Sequence, residues 1–269
     1  MFRSDEDYEH FADYVRRRSR YVLDGQQNEF VEAVIQTSKK RTTAMPSGQV
    51  LWRAAQGYVY KPKEEGVHPH DVFFLNSIAP HPLERMTPLR DSAKEGRVNP
   101  KGIPCLYTAT DPETAMMETR PWAGSVLTVS QLVLLKQITL VDRTLANEFD
   151  LVRSPTQAQL ESNNWYVLNE AFSQPVFDGE MTADYAPTQY IAEAFRTMGY
   201  DGIIYASKVG LGKNVAMFDV DAAEVASRQL RQVKAVSFSF RRVGTPSYVE
   251  KYSEELSKIE EAAETEGVV

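Results

Sequence analysis

Arg97-Val-Asn-Pro-Lys-Gly-Ile-Pro-Cys-Leu-Tyr107-Thr-Ala-Thr-Asp-Pro-Glu-Thr-Ala-Met-Met-Glu118 puts an arginine, a tyrosine and a glutamate on one short loop–strand–helix unit. Leu106 to Thr110 reads as a strand. Asp111 then offers a side-chain cap, Pro112 suits the first helical position, and Glu113 falls in the first turn, where the helix dipole favours an acid. On the helix so started, Ala115, Glu118 and Thr119 share one face at i, i+3, i+4 spacing, and Glu113 points away from it. Capping and dipole electrostatics account for Glu113 but not for Glu118. A carboxylate on the small-residue face of a helix that leaves a strand directly is either paired or functional, because an unpaired charge is costly to bury.

Outward from this unit, the periodicities alternate between helix and strand. Residues 5 to about 44 read as helical, with Phe11, Tyr14, Val15, Val22, Phe30, Val31, Val34 and Ile35 recurring among charged positions. Pro46-Ser47-Gly48 breaks that pattern, and Val50–Ala54 reads as a strand. Residues 61–104 are rich in proline and glycine and carry His68, His70 and His81; a loop of that length inside a domain is a functional element or an insertion. Strands are expected over 125–130 and 137–142, and helices over 154–171 (Trp165, Leu168 and Ala171 inward) and 188–198. A strand over 201–207 and its hairpin partner over 214–218 follow. Beyond Phe240 a glutamate-rich charged helix and tail are expected. Helices first and last with several short strands between them make the class α+β, not an alternating parallel sheet.

The chain has 269 residues, 42% hydrophobic and 25% charged, which is the composition of a globular protein able to bury a sizeable core. A net charge of -7 argues against a nucleic-acid-coating surface, and no direct nucleic-acid binding is expected. The cluster Arg16, Arg17, Arg18 and Arg20, with Lys39, Lys40 and Arg41, reads as solvated helix faces. One cysteine, Cys105, permits no intrachain disulfide and reads as a small core residue. The N-terminal Met-Phe-Arg-Ser-Asp-Glu-Asp is not an apolar signal segment and no run approaches a membrane span, so a soluble, cytoplasmic protein with no membrane partner is expected.

Several conventional site patterns fail. Gly210-Leu-Gly-Lys213-Asn214 lacks the spacing of a phosphate loop and opens into a strand, so it reads as a flexible hairpin loop. His68-Pro-His70-Asp71 with His81 has no recognised metal-ligand spacing, and no metal is expected. No Gly-x-Ser-x-Gly elbow is present. What remains is a dispersed set, Arg53, Arg97, Tyr107, Glu118 and Ser207. Arginine can fork onto a diphosphate, tyrosine can stack on a flat ring, and a carboxylate can stabilise an oxocarbenium-like sugar as its bond to a leaving group breaks. Residue by residue the alternatives stand beside this: surface ion pairs, core packing, a hydroxyl bonded to backbone.

The order of the motifs adds a resemblance. Leu51-Trp52-Arg53, then Gly96-Arg97-Val-Asn99-Pro-Lys-Gly102, then Leu106-Tyr107 through Glu118, then Tyr185-Ala-Pro-Thr-Gln189, then Gly199-Tyr-Asp-Gly202-Ile-Ile-Tyr205-Ala-Ser207 and Asn214-Val-Ala-Met-Phe218, resembles the RES-domain family over roughly residues 50–220. The resemblance implies an ADP-ribosyltransferase-like α+β core over 49–240, with a helical extension over 1–48 before it and a charged C-terminal helix and tail over 241–269. It implies consumption of NAD+ as substrate without a cofactor, by cleavage of the nicotinamide–ribose bond with inorganic phosphate or water as acceptor. By position it assigns Arg53, Tyr107 and Glu118 to catalysis and Arg97, Asn99, Ser207 and Asn214 to substrate binding. It further implies the toxin of a bacterial toxin–antitoxin pair, with any Xre-type antitoxin encoded separately. Transfer of ADP-ribose to a protein, and a binding module without turnover, stay open, as does homo-oligomer formation through the N-terminal helices.

Overall fold

The structure, a computed structural model, describes residues 1–61, 78–145, 149–150, 152–173, 182–240 and 244. His68 and His70 lie outside them, as does the charged helix expected beyond 240 apart from Gly244. Along the chain come α1 (Asp7–Arg17), α2 (Gly25–Ser38), β1 (Thr42–Met45), β2 (Val50–Gln56), β3 (Val59–Tyr60), β4 (Ile78–Ala79), β5 (Leu106–Ala109) and α3 (Pro112–Met117). Then follow β6 (Val126–Leu134), β7 (Ile138–Asp142), α4 (Gln157–Ser173), α5 (Ala186–Thr197), β8 (Gly202–Ala206), β9 (Lys213–Met217) and β10 (Ala223–Gln232). Met1–Ala235 form one compact unit and Val236–Val269 a second.

Two cores explain the alternation along the strands. Val141, Ile203, Tyr205 and Ala216 face α1, α2, α4 and α5 in a cluster with Phe11, Phe30, Trp165, Phe172 and Phe195. Their neighbours Leu140, Ile204, Val215 and Met217 face the opposite way, in a second cluster with Leu51, Leu106, Leu132 and Leu134. The N-terminal helices therefore share the core of α4 and α5. Arg16 and Arg17 meet Asp184 and Asp13, at 3.3 and 3.1 Å. The helical reading of 5–44 is corrected at its end: Thr42–Met45 is a strand, antiparallel to β7 from Thr42↔Val141 to Met45↔Ile138. Two adjacent threonines suit a pleated edge better than a helix.

Eight strands join in the order β1-β7-β8-β9-β5-β2-β6-β10, and only β7 and β8 are parallel. The class is α+β. In a flat sheet β6 and β7 would stand five strand spacings, roughly 24 Å, apart. Yet Leu134 ends β6 and Ile138 begins β7, and four residues reach at most roughly 14 Å. The sheet must therefore curl over on itself. The fold yields where pairing is thinnest, since β2 and β5 share a single registered pair, Trp52↔Ala109. On either side, β2 pairs with β6 from Val50↔Val133 to Gln56↔Leu127, and β5 with β9 from Leu106↔Met217 to Ala109↔Asn214. Among the described residues no helix is long and apolar enough to cross a membrane.

Candidate active site

Where β2 and β5 part, the backbone groups that a continuous ladder would use need other partners. Arg53, on β2, supplies one: its Nη1 donates to the Tyr107 carbonyl oxygen at 2.7 Å. Its Nε is buried without a hydrogen-bond partner among the described residues. Burial lowers the pKa of this guanidinium, with Cys105 and Tyr107 pulling the other way. Beside it a cavity of about 220 Å³ is lined by Arg53, Tyr107, Thr108, Ala115, Glu118, Thr119, Tyr205 and Asn214, with Ala54 and Ala109 completing the wall.

Glu118 reaches the cavity from the end of α3. That helix starts as the sequence predicts, with Asp111 accepting from the Thr114 backbone nitrogen at 2.7 Å and Pro112 at the first position. It ends earlier, at Met117, so Glu118 is the capping residue after the last turn rather than part of a continuing face. Two donors converge on the same carboxylate oxygen: Ser207 Oγ at 2.8 Å and Asn214 Nδ2 at 2.5 Å, both to Oε1. Oε2 has no hydrogen bond among the described residues. The two donors are presented by β9 and by the turn after β8, which pair in register at Tyr205↔Asn214. Ser207 Oγ in turn accepts from the backbone nitrogens of Val209 and Gly210, at 3.2 and 2.9 Å.

The loop from 207 to 213 joins β8 and β9 as the expected hairpin and is tied to its surroundings by several contacts. Gly212 N donates to Thr114 Oγ1 at 2.9 Å, and a Cβ at Gly212 would run into the Asp111 carboxylate. Lys208 pairs with Glu170 of α4 at 2.7 Å, and Lys213 Nζ donates to Thr144 Oγ1 at 2.7 Å. Glycine serves close packing here, not a phosphate cradle.

Tyr107 forms part of the cavity wall with its hydroxyl already committed. It donates to Asn99 Oδ1 at 2.7 Å and accepts from the Val98 nitrogen at 3.0 Å; burial pushes the phenol well above its ordinary pKa. Asn99 does not line the cavity. Its Nδ2 reaches the carbonyls of Lys94, Pro100 and Ile103, so its whole side chain organises the loop before β5. A Cβ on Gly96 would stand 2.5 Å from the Tyr107 hydroxyl, which is why this turn needs glycine. Arg97 is likewise outside the lining: its Nη1 donates to the Phe172 carbonyl at 2.7 Å, filling one of the open acceptors in the last turn of α4. The structure thus brings together Arg53, Tyr107, Glu118, Ser207 and Asn214, and places Arg97 and Asn99 behind them.

Two contributors had no assigned role in the sequence. Gln189 of α5 donates to the carbonyls of Gly96 and Asn99, at 2.8 and 3.1 Å, and latches the loop that holds Tyr107. Tyr205 lines the cavity while reading, in sequence, as one more inward residue of an alternating strand. Cys105 is buried, and that burial pushes its thiol up to about 12, as suits a packing residue. His81 is buried too, its ring Nε2 2.9 Å from the Gln56 carbonyl. Among the described residues no group of His, Cys, Asp and Glu is arranged to hold a metal ion.

A family model for the RES domain matches residues 75–241, well over half of the chain. The protein belongs to the RES-domain family. The matched stretch carries six of the seven expected site residues; Arg53 precedes it and joins the RES-domain site through β2. Among solved structures, a chain of the M. tuberculosis MbcT-MbcA toxin-antitoxin complex is similar, at 13% identity and a TM-score of 0.38, over 75% of this chain and 93% of that one. No curated protein matches the sequence.

Proposed function

We propose that this RES-domain protein consumes NAD+ by breaking the bond between nicotinamide and ribose. The observation that carries the reading is the Glu118 carboxylate, fixed through Oε1 by Ser207 and Asn214, with Oε2 uncommitted beside a cavity whose other charged group is Arg53. As the C1″–N bond to nicotinamide breaks, its electron pair neutralises the nicotinamide ring and positive charge develops on the ribose. A pre-oriented carboxylate stabilises that charge without reorganising. The Arg53 guanidinium, tethered at Nη1 to the Tyr107 carbonyl, attracts a phosphate oxygen of the substrate. Phosphate or water then bonds to C1″ and gives up a proton, yielding ADP-ribose-1″-phosphate or ADP-ribose.

Family membership supports a further reading at the level of the cell: the protein acts as the toxin of a bacterial toxin–antitoxin pair, restrained by a separately encoded antitoxin. Incubating the purified protein with NAD+, with and without inorganic phosphate, and identifying products by mass spectrometry tests the chemistry. A phosphorylated ADP-ribose formed only with phosphate establishes phosphorolysis, and ADP-ribose formed regardless of phosphate establishes hydrolysis. Retention of all NAD+ by folded protein overturns both and moves the weight to a protein acceptor or a binding role.

A further inference from the structure

The two tyrosines of the cavity wall differ in what their hydroxyls do. That of Tyr107 both donates and accepts within the protein, to Asn99 and from Val98, and is spent on holding the loop. Tyr205 is also buried, 5% exposed, and also lines the cavity, but its hydroxyl has no hydrogen bond among the described residues. A phenol hydroxyl that opens on a cavity without a protein partner is left to bond what enters the cavity, water or ligand. The Tyr205 side chain stands across the β8–β9 register from Asn214, whose amide holds Glu118. Glu118 and Arg97 are both near enough to act on it electrostatically.

We infer that Tyr205 is a substrate-contacting residue, its hydroxyl donating a hydrogen bond to an oxygen of the nicotinamide–ribose half of NAD+, on the Glu118 side of the cavity. This rests on the proposed NAD+ chemistry and extends it by assigning a binding contact to a residue outside the expected set. Burial raises the phenol far above its ordinary range, so the group is a donor, not a base, throughout the neutral range. Position also fixes the end of the ligand it serves. Glu118 addresses the ribose that becomes cationic, and Tyr205 is the neighbour of the residue that orients Glu118.

Tyr205→Phe keeps the ring and removes only the hydroxyl. Three quantities test the inference: steady-state NAD+ turnover, NAD+ affinity by calorimetry in a Glu118→Gln background that suppresses turnover, and affinity for ADP, which lacks the nicotinamide–ribose half. Loss of one hydrogen bond from the binding complex corresponds to roughly a two- to twelve-fold change. Tyr205→Phe is expected to weaken NAD+ binding by about that factor and to leave ADP affinity within twofold, with an unchanged thermal midpoint. NAD+ affinity and turnover both within twofold of the parent overturn the inference and leave the proposed function standing. Parallel weakening of NAD+ and ADP also overturns it, since the hydroxyl would then serve the other end. A wild-type protein that consumes no NAD+ overturns the functional reading and this inference together.

Discussion

Glu118→Gln tests the electrostatic part of the account with little change in shape. Because Ser207 and Asn214 both donate to Oε1, the amide oxygen of glutamine can take that place and keep both bonds. The amide nitrogen then occupies the position of Oε2, which no described residue contacts. Glu118 is exposed at the end of α3 and caps it without a side-chain bond to the helix. Its replacement should therefore change stability by no more than about 0.5 kcal/mol, as for substitutions that disturb no buried feature. What disappears is one negative charge pre-aimed at the developing oxocarbenium ion. Removing a single group of that kind costs about 10²–10³ in rate, or roughly 3–4 kcal/mol of transition-state stabilisation. The assay is nicotinamide release under saturating NAD+, with urea unfolding of both proteins in parallel. A variant that keeps its unfolding midpoint and loses two to three orders of magnitude in kcat is the expected result. Turnover within tenfold of wild type in an equally stable variant would refute the role given to Glu118.

Further outcomes follow from the supporting shell. Asn99→Ala strips three loop carbonyls and the Tyr107 hydroxyl of their partner and should destabilise the protein by roughly 2–6 kcal/mol in urea denaturation, since each lost hydrogen bond contributes about 0.5–1.5 kcal/mol. Gly212→Ala forces a methyl group onto Asp111 and Thr114; it should lower both stability and turnover, whereas Leu211→Ala in the same loop, whose side chain is fully exposed, should alter neither. Arg143 is buried with none of its three guanidinium nitrogens hydrogen-bonded among the described residues, its charge resting on the rings of Trp165 at 4.6 Å and Phe172 at 4.9 Å. Burial, with help from Arg41, lowers its pKa to about 9. A lowered folded-state value means that the unfolded chain binds the proton more tightly, so the penalty is in full force below pH 9 and is relieved as pH rises past it. Arg143→Met should therefore be at least as stable as wild type at pH 7, by chemical denaturation, with any advantage shrinking above pH 9.

What could be read in the residues was local chemistry. The Asp111–Pro112 start of α3, the β5 strand before it and the β8–β9 hairpin each follow from side chains within a few positions of one another, and each stands in the structure. What could not be read depends on partners far along the chain. Thr42–Met45 becomes a strand only because β7 is there to pair with it. Arg97 has the chemistry of an anion ligand, but the end of α4 arrives 75 residues later in sequence and takes its Nη1. Gly210 and Gly212 suggest a mobile loop until Thr114 packs beneath them. Tyr205 belongs to the helix-facing core cluster and so looks like core, yet it also lines the cavity with Arg53, Glu118 and Asn214, which come from distant parts of the chain.

The central claim is that this site breaks the nicotinamide–ribose bond. Proton NMR of NAD+ incubated with folded wild-type protein follows that bond directly, whichever acceptor completes the reaction. The account predicts loss of the nicotinamide-riboside anomeric signal with stoichiometric appearance of free nicotinamide, slowed by about two to three orders of magnitude in Glu118→Gln. An unchanged NAD+ spectrum over hours, from protein shown to be folded and with phosphate present, would contradict it.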